Sequence, residues 1–187
     1  MQQPIGQNDP ATFAKARENQ YFDRKSARIK PNDAVRHIVA FANAAGGKLA
    51  IGIEDDGEVT GFRRSGFRDI EDFRHACCEP VPVVRAEEVA VTNSRGEDDL
   101  ILVLDIRPST DHVIARRSDG AVFLRQGDRS VVLGHDQITA LEYDKNQRCY
   151  EDEVQERSSL EDVDPEVMAR YKAELGTEAS DEQVLRS

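Results

Sequence analysis

The chain has 187 residues, 39% apolar and 33% charged, which is enough for one sizeable core. Its net charge of −11 divides unevenly: residues 1–140 carry 22 acids against 19 Lys/Arg, and residues 141–187 carry 14 against 6, so the acidity describes the tail and does not exclude a polyanionic partner for the rest. No apolar run approaches ~18 residues, MQQPIGQNDP lacks a signal pattern, and Cys77, Cys78 and Cys149 have neither disulfide-framework nor zinc spacing; these features exclude a membrane-spanning or disulfide-stapled protein and predict a soluble, cytoplasmic one.

Residues 1–10 read as a flexible leader. Asp9 and Pro10 predict an N-cap and a first helical residue for a short helix over Ala11–Glu18. Tyr21–Ile29 reads as a heavily charged strand. Residues 33–45 carry Val35, Ile38, Val39 and Ala42 at helical spacing, after Asn32 and before Gly46-Gly47, and predict the best helix of the chain. Leu49, Ile51 and Ile53 alternate on a strand, and Asp56-Gly57 suits a tight turn into a short strand at Val59. Ile70–Cys78 reads as a helix. VVRAEEVAVT, LILVLDIR, HVIAR and AVFLR follow as strands, and a helix near Gln137–Tyr143 closes the unit.

The expected fold class is α+β: a mixed, mostly antiparallel sheet with helices packed on one side. The expected domains are residues 11–144, a charged connector over 145–163, and a helical extension over 164–187 with Asp164 as N-cap of PEVMARYKAEL. The closing SDEQVLRS reads as the opening turn of a further helix, as at the start of another domain.

Gly47-Lys48 invites a phosphate-loop reading, but Ala42 and Leu49 stand where that loop needs glycine and Ser/Thr. Gly46-Gly47 instead reads as a helix stop that lets the chain turn directly into a strand. The four histidines are scattered. What remains is acids within a basic stretch. Residues 11–48 hold eight Lys/Arg against three acids, with Glu18 and Asp23 among Arg24, Lys25, Arg28 and Lys30, and Glu54-Asp55-Asp56 follow. Carboxylates converging inside a basic surface suit metal-assisted phosphodiester cleavage, the acids holding Mg²⁺ or Mn²⁺ and the cations gripping the backbone. The same acids also suit a solvated turn and an edge strand.

The run FDRKS followed by AFANAAGGKLAIGIEDDGEVTGF resembles the AlbA-like domain of the Schlafen family, as does VFLRQGDRSVVLGHDQITAL further on. The resemblance covers roughly residues 12–143 and implies the α+β fold above. Some members of that family are metal-dependent endoribonucleases acting on structured RNA such as tRNA. The resemblance would then place the metal on Glu18, Asp23 and Asp55, with Lys25 facing the phosphate. Other members are described as DNA-binding or ATP-binding transcriptional regulators. For these it implies a nucleic-acid-binding module, RNA or DNA, contacting phosphates through Arg24, Lys25, Arg28 and Lys30, with Arg125 and Arg129 as further contacts. Two departures bear on catalysis. Asp23-Arg24-Lys25 stands where the family has E-F-K, and a single lobe would need a homodimer to form a cleft. A third reading is a protein-interaction or dimerisation domain whose acidic tail either masks the basic strand or recruits a partner. The expected partner is nucleic acid, with no membrane.

Overall fold

The computed structural model describes residues 9–63, 66–77, 84–147, 164–177, 179–181 and 184. They fall into two compact units, Met1–Arg148 and Cys149–Ser187.

In the first unit, α1 (Pro10–Lys15) is capped by the Asp9 carboxylate, which accepts from the Ala11 and Thr12 amides. Strand β1 (Phe22–Lys25) leads into α2 (Pro31–Asn43) and then β2 (Gly47–Ile51), which pairs with β1 in parallel. Strands β3 (Val84–Thr92) and β4 (Asp98–Ile106) form an antiparallel hairpin. β4 docks antiparallel on β2, so the sheet order is β1-β2-β4-β3. In the chain, α3 (Ile70–Cys77) lies between β2 and β3. A separate hairpin, β5 (Phe123–Gln126) with β6 (Arg129–Val132), precedes α4 (His135–Asp144). The fold is α+β with a mixed four-stranded sheet.

Strand alternation builds two apolar layers. Leu49, Ile51, Leu102, Leu104 and Ile106 face α2 and α3, with Phe41, Phe73 and Phe123 among them. Ala50, Ile101 and Val103 face the other way, onto Phe22 and onto Phe13 of α1. Central β4 is therefore apolar on both faces, which is why LILVL reads as a continuous run.

Gly46-Gly47 acts as the anticipated helix stop for a reason of space. Gly46 has φ +73, and a Cβ there would lie 2.6 Å from the Ile106 carbonyl; one on Gly47 would lie 2.6 Å from the Phe41 ring. Elsewhere the elements differ from expectation. β1 is shorter than Tyr21–Ile29, because the chain turns at Ser26–Ile29. Helix α2 starts at Pro31 with Lys30 as N-cap, so Asn32 lies inside it. HVIAR forms only an isolated Ala115–Val122 bridge: the Asn43 amide takes both the N–H and the C=O of Ile114, leaving that residue no ladder groups. β6 was not anticipated. Cys78 lies outside the described residues.

In the second unit, α5 (Pro165–Leu175) is capped by Asp164 through the Glu166 and Val167 amides and ends on Gly176 at φ +61. Met168 and Val184 are its buried apolar residues. The leader and connector proposed from sequence lie largely outside the described residues. No described helix is long and apolar enough to cross a membrane.

Candidate functional site

Period-two alternation along β1 sorts its charged residues onto opposite faces. Arg24 points with Phe22 toward α1, where its guanidinium donates to the Phe13 and Ala14 carbonyls at 3.2 and 2.8 Å. It is buried there, and its Nε has no hydrogen-bond partner. Asp23 and Lys25 point the other way, toward α2 and the β5–β6 hairpin.

The Asp23 side chain is 1% exposed and is gripped from three elements. Arg125 of β5 donates to Oδ2 at 2.6 Å, His37 of α2 places Nδ1 3.0 Å from the same oxygen, and Lys25 donates to Oδ1 at 2.5 Å. Arg125, itself fully buried, also donates to the Asn19 and Phe22 carbonyls and lies 4.7 Å from the centroid of Phe41. Gln20 clamps the hairpin to the same segment, donating to the Arg125 carbonyl and accepting from the Gly127 amide. Ser130 of β6 touches His37 Nδ1 at 3.1 Å. Glu18 closes the open side, 3.4 Å from the Lys25 ammonium and bonded to the Arg24 amide.

The electrostatics follow from this arrangement. Burial opposes ionisation of Asp23, but the hydrogen bond from His37, then the Lys25 ammonium, hold its carboxyl well below the usual range. Burial pushes the His37 imidazole down from its ordinary 6.5, with Asp23 pulling the other way, so the ring is neutral at pH 7. Its Nδ1–H then faces Asp23, and Nε2 accepts from Arg36 at 3.4 Å. Burial and then the neighbouring Asp23 carboxyl raise Glu18 above its usual range.

Of the three acids that the resemblance assigned to a metal, Glu18 and Asp23 are neighbours around Lys25. Asp55 is exposed in the turn before Gly57. That turn packs against the end of α1, where a Cβ on Gly57 would lie 2.2 Å from the Ala14 carbonyl. In the same turn Asp56 accepts from the Glu58 amide at 2.9 Å, and Glu54 accepts from Ser26, Thr60 and Arg28 at 2.9, 2.8 and 2.7 Å. Among the described residues no group of three or more His, Cys, Asp or Glu is placed to hold a metal. Both Asp23 oxygens are already engaged by cationic or N–H donors, so this donor set does not fit Mg²⁺ or Mn²⁺ as arranged.

The six cations proposed as phosphate contacts separate likewise. Arg24 and Arg125 are interior. Lys25, 20% exposed, is held by the two acids. Arg28 is exposed and paired with Glu54, while Lys30 and Arg129 are exposed at the start of α2 and on β6. Sequence reasoning missed His37, Ser130, Gln20 and Asn43. Only Asn43 carried a local signal, at the end of AFAN ahead of the glycines.

A family model described as Schlafen, AlbA_2 matches residues 18–134. The DIP2311 protein from Corynebacterium diphtheriae, known from a crystal structure, is similar at 20% identity and TM-score 0.48. The similarity covers 94% of this chain and 40% of that one, so this chain spans less than half that protein's length. No curated protein matches.

Proposed function

The chain belongs to the Schlafen AlbA_2 family, and from that premise we propose that it is a nucleic-acid-binding module. It holds phosphates on cations around the N-terminal half of α2. The supporting observation is the fate of the basic residues in 11–48, a region of local net charge +5 in an acidic chain. Arg24 and Arg125 are spent on the interior, where they fix β1, α1 and the hairpin. Arg17, Lys30 and Arg36 remain exposed, joined by Arg129 of β6. The buried Asp23–Arg125–His37 cluster is then the scaffold that presents this rim. Lys25, on the half-open side with Glu18, is the innermost cation a phosphate could approach.

Binding through such a rim is driven by counterion release and needs no metal. In fluorescence anisotropy with a labelled tRNA pool in EDTA, affinity should fall steeply between 50 and 200 mM salt, concentrations at which a protein making several phosphate contacts loses orders of magnitude. Lys30→Glu with Arg129→Glu should weaken binding roughly tenfold at low salt and flatten the salt slope by about one unit per lost contact. Unchanged affinity in that double variant would overturn this placement. Cleavage of the pool after Mn²⁺ is added, lost in Glu18→Gln, would instead favour the endoribonuclease reading.

A further inference from the structure

The loop that follows Gly61 carries a feature that the Asp23 cluster does not use. Phe62, Phe67, Ile70 and Leu100 wall an open cleft of about 390 Å³, with Arg63, Arg68 and Asp69 on its rim. Its architecture is built from a buried acid. Asp99 accepts from the Phe62, Arg63 and Leu100 amides at 2.9, 3.1 and 2.8 Å and from Asn93 at 3.1 Å. Its charge is therefore absorbed by N–H donors. Gly61, at φ +65, has no room for a Cβ against that carboxylate. Phe62 is fixed edge-on against Phe73, with centroids 5.6 Å apart.

The cleft adjoins the proposed interface. The Arg68 amide donates to the Ala27 carbonyl, tying the loop to the turn that carries Arg28 and leads to Lys30. The Arg28 guanidinium lies 5.5 Å from the Phe67 centroid. Arg63 is braced on the Asp98 carbonyl and borders a second cleft of about 510 Å³ along β3 and β4. Among the described residues the acids in reach are Glu54, paired with Arg28, Asp69, whose carboxylate accepts from the Glu71 amide, and Asp98 and Asp99, which line the second cleft beside Arg63. Asp99 is absorbed by N–H donors and Glu54 by Arg28, which leaves Arg63 and Arg68 as cations on the rim of the aromatic wall.

Aromatic walls with cations on the rim suit a nucleobase and its flanking phosphates, one through its π face and the other through charge. A paired, stacked base in a duplex cannot offer that face. The geometry points to a subsite for single-stranded nucleic acid, with an unpaired base against Phe62 and Phe67 and its phosphates on Arg63, Arg68 and Arg28. This inference rests on the nucleic-acid reading above and narrows it to unpaired strands.

The test is anisotropy with the whole chain against ten-residue oligo(A), as RNA and as DNA, an abasic strand of the same length, and a blunt duplex. One oligo(A) at least should bind about tenfold more tightly than the abasic strand, the worth of one stacked base. Phe67→Leu should abolish that preference and Phe67→Tyr restore it, while Arg68→Gln should weaken oligo(A) and abasic strand alike. Equal binding of wild-type protein to oligo(A) and abasic strand overturns the subsite, as does a preference for duplex, and neither result touches the wider reading. Absence of binding to every strand and to tRNA overturns both. If Phe67→Leu does not fold, the wild-type comparison with the abasic strand decides.

Discussion

Asp23 shows how one residue changes meaning with its surroundings. On an exposed strand it would be a metal-ligand candidate, but here it is the shared anion of Arg125, His37 and Lys25. A buried carboxylate with this many partners is costly to leave unpaired, by roughly 3–5 kcal/mol when a partner is removed. His37 makes the cluster acid-sensitive in a definite direction. Its folded pKa is depressed, so the unfolded chain takes up the proton first. Its contribution to stability is complete above 6.5 and is lost progressively as pH falls from there through the depressed folded value. Asp23, also depressed, adds a second loss below its ordinary 3.8. Glu18, raised, works in the opposite sense and relieves part of its cost on protonation. The urea midpoint should therefore be lower at pH 5.5 than at pH 7.5, because the unfolded chain takes up the His37 proton more readily than the folded one. His37→Asn, which keeps an N–H toward Asp23, should remove that difference. A persistent difference would place the proton elsewhere.

At the scale of elements, the hairpin and α2 hold each other through side chains that substitute for missing ladder bonds. Asn43 donates to the Ile114 and Phe123 carbonyls at 2.7 and 2.9 Å and accepts from the Ile114 amide at 2.8 Å, all within buried surroundings. Asn43→Ala leaves one amide and two carbonyls without that partner. It should cost about 2–3 kcal/mol, even though alanine is the better helix former. Chemical denaturation reads that loss, and a change below 0.5 kcal/mol would mean that water replaces the amide fully. The outer strand β3 follows a different logic: Arg85, Glu87 and Glu88 on this exposed edge discourage pairing with another chain.

For the whole molecule, charge is the quantity that matters, because a polyanion senses the summed field. The unit Met1–Arg148 carries a net −3 and Cys149–Ser187 a net −8. Removing the second unit should raise affinity for RNA several-fold at 50 mM salt, and the gain should vanish at high salt, where the Debye length contracts to about 3 Å at 1 M. Gel shifts of the two lengths side by side measure this, and equal affinity at low salt would exclude a masking role.

Much of the fold was written locally. The Asp9-Pro10 and Asp164-Pro165 helix starts, the Gly46-Gly47 stop and the LILVL core strand depend on neighbours in the chain, where propensity, capping and alternation act. The resemblance carried by AFANAAGG and the strand after it led to the right family for the same reason. Tertiary structure alone decided what the charges do. Arg24 and Arg125 resemble Lys30 and Arg129 in sequence, but the first two are interior because α1's last carbonyls and the Asp23 carboxylate wait for them across the fold. Arg125 and Asp23 are 102 residues apart. No periodicity encodes a desolvated pair at that separation, since it exists only once β1, α2 and the hairpin have closed around it.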